Sequence, residues 1–212
     1  MPSVELRGVS KAFGRAAPLR DFSCHVPTGS FTLVSGPSGA GKTTLLRLIA
    51  GLELPDSGSI LINNQVASGP RVYVPPHRRQ LGMSFQDFAL WPHKTVHGHL
   101  DFVLRAARCP RTRRAEVIAQ LLALFELPDK VYSRPSTLSG GQQQRLNLAR
   151  ALASSPPLVL LDEPFAHLDQ ALRESILAEL LRRNRVDGLT LIAAAHSHEN
   201  LQEYATQVLE IA

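Results

Sequence analysis

Eight consecutive residues constrain this 212-residue chain more than any others: Gly36-Pro37-Ser38-Gly39-Ala40-Gly41-Lys42-Thr43 fit the pattern G-x-x-x-x-G-K-[ST]. Glycines let a backbone curl until successive N–H groups point inward at phosphate oxygens. Phe31–Ser35 is a short β-prone run just before the loop, and Thr43–Ala50 reads as a helix behind it. The positive N-terminal end of that helix adds to the attraction for an anion. Lys42 would bring a mobile charge to the β- and γ-phosphates of a nucleotide, and Thr43 would offer Mg²⁺ a hydroxyl. Chance alone produces this pattern in roughly one in a hundred chains of this length, and the strand–loop–helix context makes chance less probable still.

The remaining pattern is an alternation of strands and helices. Ile60–Ile62 is a strand candidate after the turn Pro55-Asp56-Ser57-Gly58. Leu158–Leu161 is continuously apolar, as a strand covered on both faces of a parallel sheet should be. Thr190–Ala194 and Val208–Ile211 look similar. Gln170–Arg183 carries Leu172, Ile176 and Leu180 on one helical face, with Asp169 placed to cap it. Residues from about 95 to 153 differ, with few strand signals and several helical ones. Glu116–Leu127 reads as a helix stopped by Pro128, and Gly140–Ser154 as another. The reading is an α/β sheet with a helical insertion.

Composition removes several classes. At 44% hydrophobic and 19% charged, the chain is too apolar for disorder. No run approaches the roughly 18–20 apolar residues of a membrane-spanning helix, and Met1–Glu5 lacks the pattern of a secretion signal. Cys24 and Cys109 make neither a disulfide framework nor a CxxC metal site, which suits a reduced compartment. A net charge of +5 favours acidic partners without selecting one.

Two further devices carry chemistry. Asp162 and Glu163 end the strand Leu158–Leu161 and precede Pro164. An acid at the end of a buried strand commonly serves Mg²⁺ opposite a phosphate loop, so Asp162 is the metal candidate. Glu163, one residue on, points elsewhere and could act as general base on a water. Leu138-Ser139-Gly140-Gly141-Gln142-Gln143-Gln144-Arg145 opens a helix with Ser139 as N-cap. Its glycines leave backbone N–H groups bare at a positive helix end, a second anion-binding device.

That string resembles the signature motif of the ATP-binding cassette (ABC) ATPases, and other segments resemble the family's motifs in order. Ala12-Phe13-Gly14 is similar to the loop whose aromatic stacks on adenine; Gly36–Thr44 is similar to Walker A. Phe85-Gln86-Asp87 resembles the Q-loop, Leu158–Glu163 Walker B, Ala166-His167-Leu168-Asp169 the D-loop, and His196 the switch histidine. Pro75–Met83 and Phe85–His93 are worded like the ATPase subunits for uptake of sulfate, molybdate, iron, polyamines or sugars.

The resemblance implies a P-loop NTPase (RecA-like) α/β core with a mainly parallel sheet, an N-terminal antiparallel β subdomain and a helical subdomain. It places the core at about 1–94 and 154–212 and the helical part at about 95–153, in a single ABC ATPase domain. It implies ATP and Mg²⁺, bound by Phe13, Gly36, Pro37, Ser38, Gly39, Ala40, Gly41, Lys42, Thr43 and Thr44 of one copy. Ser139, Gly140, Gly141 and Gln142 of a second copy would close on the γ-phosphate, and Asp169 is implied as a further nucleotide-binding residue. Thr43, Gln86 and Asp162 would serve the metal; Glu163, His196 and Gln86 would act in hydrolysis. The implied partners are transmembrane permease subunits, a second copy or a paralogous ATPase in a head-to-tail pair, and a substrate-binding protein. The implied location is peripheral, on the cytoplasmic side of the inner membrane. No nucleic-acid partner is expected, although a soluble ABC ATPase acting on nucleic acid and an exporter or lipoprotein-release ATPase are the alternatives.

The chain departs from the family in places. Ser197 follows His196 where Asp is frequent, His198 lies close by, and Ala166 stands where Ser is frequent. Family members of the sugar and sulfate type continue into a regulatory β domain, and none is expected here. His77, His93, His97 and His99 fit no metal spacing and read as surface or turn histidines. Arg105, Arg108, Arg111, Arg113 and Arg114 read as a solvated face or as a surface near anionic headgroups. Trp91 would pack against a partner or fill an interface between subdomains.

Overall fold

Strand-forming residues at both ends of the chain converge on two sheets. A computed structural model describes residues 2–166, 168–195 and 201–211. The chain separates into two compact units. The first comprises Met1–Leu81, Pro157–Glu163 and Arg182–Ala212; the second comprises Gly82–Pro156 and Pro164–Leu181.

In the first unit, β1 (Val4–Phe13) pairs antiparallel with both β2 (Ala16–Val26) and β4 (Ser57–Ile62). β5 (Gln65–Gly69) and β6 (Val72–Tyr73) extend this sheet in the order β2-β1-β4-β5-β6. Val4 and Leu6 are buried between outward Glu5 and Arg7, the alternation a half-covered strand requires. The register then shifts between Leu6 and Val9, around Gly8.

The nucleotide-loop strand β3 (Phe31–Ser35) lies between β10 (Gln207–Glu210) and β9 (Thr190–Ala194), and β9 pairs with β8 (Leu158–Asp162). All three pairings are parallel. β8 and β9 are buried at every position, which accounts for their uninterrupted apolar sequence. Helix α1 (Lys42–Ala50) packs Leu45, Leu46, Leu48 and Ile49 into this core, each 0–1% exposed.

The second unit takes in most of β7 (Leu81–Ser84), then α2 (Val96–Ala106), α3 (Arg111–Leu124) and α4 (Gly140–Leu152). Helix α5 (Gln170–Val186) begins in this unit. Phe125, Leu100, Leu104 and Leu146 form its apolar centre. Helix α3 starts five residues before the expected Glu116, directly after Pro110, whose fixed φ suits a helix start. It ends before Pro128 is reached. Glu126 turns left-handed at φ +50°, and the Leu127 N–H returns to Leu122 O at 2.8 Å, a Schellman-type stop.

Candidate nucleotide-binding site

The phosphate loop is shaped by close approach as much as by flexibility. A side chain at Gly36 would meet Ile211 O at 2.3 Å, and one at Gly41 would meet Pro18 O at 2.9 Å. Gly41 also holds φ +111°, where other residues are strained, and serves as the N-cap of α1. Lys42 is the first residue of the helix and is buried. Its ammonium donates to Gly36 O at 2.8 Å and Pro37 O at 3.0 Å, so it spans the loop it belongs to.

Residues 13, 16–18, 37–40 and 44 line an open cleft of about 550 Å³, within the usual range for small-molecule sites. Phe13 stands at its edge, 47% exposed, with the Lys11 ammonium 5.1 Å from its ring centre. An exposed ring beside a phosphate loop can stack on any base.

The carboxylate pair diverges at one bond. Asp162 ends β8 and is 2% exposed; the Thr43 hydroxyl donates to its Oδ1 at 3.1 Å. Burial raises the Asp162 pKa, the Thr43 hydrogen bond opposes this, Glu163 adds to it, and Arg47 and Lys42 oppose it. Glu163 adopts φ +47°, left-handed and strained for a residue with a side chain, and its N–H donates to Ala194 O at 2.9 Å. That twist breaks the strand's alternation at Glu163. The spacing of the two acids suggested their divergence; the left-handed backbone is visible only in the structure.

The Ser-Gly-Gly helix lies in the second unit and has a full capping box. Ser139 Oγ accepts from Gln142 N–H at 3.3 Å, and Gln142 Oε1 accepts from Ser139 N–H at 3.0 Å. Ser139 and Gly140 are exposed, at the helix end where first-turn N–H groups lack intrahelical acceptors. Gln86 is exposed in the turn after β7. Asp169 caps α5 through Leu172 N–H, 3.0 Å from its Oδ1, as its position predicted. His196, His198 and His167 lie outside the described residues.

His99 corrects the reading of surface histidines. It is fully buried on α2; its Nδ1 lies 2.7 Å from Thr95 O, and its Nε2 accepts from Trp91 N–H at 2.9 Å. Trp91 stacks on the His99 ring and meets Phe102 edge-on. Among the basic residues, Arg105 and Arg114 share Asp101.

A family profile described as ABC transporter matches residues 19–166. The chain belongs to the ABC transporter family. The ABC chain is 43% identical over 196 residues to the spermidine/putrescine import ATP-binding protein PotA of Lawsonia intracellularis, covering 92% of this chain and 52% of PotA. It is 44% identical over 209 residues to the Fe(3+) ions import ATP-binding protein FbpC of Pseudomonas fluorescens, covering 98% of this chain and 58% of FbpC. It thus spans little more than half the length of these curated relatives. The dimeric structure of MJ0796, a bacterial ABC transporter cassette, superposes with a TM-score of 0.90 at 29% identity, covering 98% of this chain and 94% of that one. A post-hydrolysis dimer of MJ0796 bound to ADP and Pi gives 0.87, with the same identity and coverage. The fold is therefore that of a P-loop NTPase cassette, with a parallel sheet and an antiparallel N-terminal sheet.

Proposed function

We propose that this chain binds and hydrolyses ATP as the energising subunit of an ABC importer. The observation that carries the reading is the pairing of Thr43 with Asp162 beside a phosphate loop bridged by Lys42. The relatives PotA and FbpC, both named as import ATP-binding proteins, support import over export.

Mg²⁺ fits the donors present. Thr43 Oγ1 and Asp162 Oδ1 are hard oxygens, and no group of three or more His, Cys, Asp or Glu able to hold a metal occurs among the described residues. Mg²⁺ is suited to such a sparse set, because it keeps waters and takes phosphate oxygens as ligands. When bound by Thr43, Asp162 and Gln86, it would neutralise charge on the β- and γ-phosphates. Lys42 would exchange its carbonyl partners for phosphate oxygens, which bind a cation more strongly. Glu163 would take a proton from the attacking water as phosphate leaves ADP, with His196 orienting both. Phe13 would stack on the adenine.

Ser139–Gln142 of a second copy, or of a paralogous ATPase, would complete the γ-phosphate site. ATP then closes the pair and hydrolysis opens it. No helix among the described residues is long and apolar enough to cross a membrane. In this reading its partners are transmembrane permease subunits and a substrate-binding protein, and the chain works peripherally at the cytoplasmic face.

Glu163→Gln tests the scheme. Nucleotide binding should persist, ATP should trap a dimer, and turnover should fall about 100-fold or more, the effect of losing a general base. Turnover at the parent rate would refute the assignment. Co-purification with a permease and stimulation by it would support transport, whereas DNA-stimulated hydrolysis without such a partner would refute it.

A further inference from the structure

The turn that carries Gln86 is strained, and a single face of α4 holds it. Phe88 and Ala89 both adopt left-handed backbone, at φ +61° and +46°. Side chains disfavour that region, so two such residues in succession persist only where their surroundings enforce them. The enforcing groups are Asn147 and Arg150, three residues apart and therefore on one stripe of the helix.

Asn147 grips the residue before Gln86 from both sides. Its Oδ1 accepts from Phe85 N–H at 3.2 Å, and its Nδ2 donates to Phe85 O at 2.8 Å. Arg150 grips the residues after it, donating from Nη2 to Phe88 O at 2.8 Å and from Nη1 to Ala89 O. The guanidinium also lies 5.6 Å from the Phe85 ring centre and 5.4 Å from that of Trp91. Asn147 is 0% and Arg150 7% exposed, so water competes weakly for these bonds. Burial pushes the Arg150 pKa down to about 10, with Asp87 opposing. The stripe continues through Gln144, whose Oε1 accepts from Asn147 and whose Nε2 donates to Pro164 O at 2.6 Å.

We propose that Asn147 and Arg150 are positioning residues: they clamp the strained Phe85–Ala89 turn and so hold Gln86 in its working place. This rests on the reading that Gln86 serves the metal and the attacking water. A planar guanidinium can serve two successive carbonyls at once, which the single ammonium of a lysine matches poorly. The same helix presents Ser139–Gln142 at its N-terminus, so one rigid element carries both the signature residues and the clamp.

Trp91 is the chain's single tryptophan and reports on the clamp directly. The test compares the parent with Arg150→Met, Ala89→Gly, the double variant and Gln86→Ala. The readouts are Trp91 emission, affinity for a fluorescent ATP analogue, and kcat and KM for Mg-ATP. Arg150→Met should shift the emission and lower kcat about 10-fold or more, the scale of a small misplacement of a catalytic group, with affinity within about twofold. Ala89→Gly, which removes the Cβ from the left-handed position, should restore kcat about threefold or more in the Arg150→Met background.

An Arg150→Met chain that turns over at the parent rate, or whose loss Ala89→Gly leaves untouched, overturns the proposal. If Arg150→Met gives no cooperative melt, Asn147→Asp takes its place under the same criteria for emission, affinity and kcat. That change keeps the shape and the acceptor but sets a carboxylate oxygen against Phe85 O. Gln86→Ala turning over at the parent rate would remove the reading of Gln86 and the proposal with it. A slow Gln86→Ala beside a normal Arg150→Met would remove the proposal alone.

Discussion

Arg79→Met should weaken the first unit more than any surface change could. Arg79 is 5% exposed, and its guanidinium makes five hydrogen bonds. Two reach Leu48 O at 3.1 Å and Ile49 O at 2.8 Å, among the last carbonyls of the phosphate-loop helix. The others reach Val74 O at 2.7 Å, Ala67 O at 3.1 Å and Ser68 Oγ at 2.7 Å, all on or beside the antiparallel sheet. One side chain thus ties α1 to β5 and to the end of β6, and its charge meets the negative end of the helix dipole.

Hydrogen bonds to a charged group are worth about 1.5–3 kcal/mol each, so a simple sum would exceed 7 kcal/mol. Methionine removes the cost of burying a cation and fills part of the space, while some carbonyls regain water. The net loss should be about 3–5 kcal/mol, the cost of leaving about two buried carbonyls without a donor. For a chain of this size that corresponds to roughly 6–20 °C in Tm. Ser68→Ala removes one of the five bonds and should cost about 0.5–1.5 kcal/mol. Thermal and urea unfolding followed by circular dichroism measure both variants. An Arg79→Met chain melting within about 2 °C of the parent would show that the carbonyls repartner freely and that the reasoning is wrong.

His99 should make stability fall in mild acid. Burial lowers its pKa, the Thr95 contact opposes this, and Arg150, Lys94 and His93 lower it further. Below the ordinary histidine pKa of about 6.5, the unfolded chain takes up a proton that the folded chain resists. The stabilisation is therefore complete above that pH and declines as pH falls toward the depressed folded-state value. Urea midpoints between about pH 7 and 5 should slope less in His99→Gln than in the parent, and equal slopes would reject the assignment. Ser139→Ala removes the Oγ that accepts from Gln142 N–H while leaving the Ser139 N–H bond to Gln142 Oε1, and should cost about 1 kcal/mol in the second unit. It should also slow hydrolysis while leaving analogue affinity for the phosphate loop of the same copy unchanged; unaltered hydrolysis would count against a signature role.

The legible parts of this protein are those whose physics is local. The loop from Gly36 to Thr43, the helix behind it and the Ser139 and Asp169 caps each depend on residues a few positions apart. β8 and β9 were legible because burial on both faces leaves a continuous apolar run. The pairing of β1 and β2 was not read from the residues. The alternation of Val4 and Leu6 breaks at Gly8, where the register shifts, and two long irregular strands then lose their period. The antiparallel N-terminal sheet came instead from family likeness.

Tertiary structure alone decided the contacts that cross the sequence. Thr43 meets Asp162 across 119 positions, because α1 packs against β8. Arg79 reads in sequence as one basic residue among neighbours, and only the packed sheet and helix surround it with carbonyls. His99 and Arg150 became buried polar anchors for the same reason. Helix periods, caps and glycine turns are short-range and are written in neighbouring letters. Burial, left-handed strain at Glu163 and Ala89, and the titration of Asp162 depend on what distant segments bring alongside.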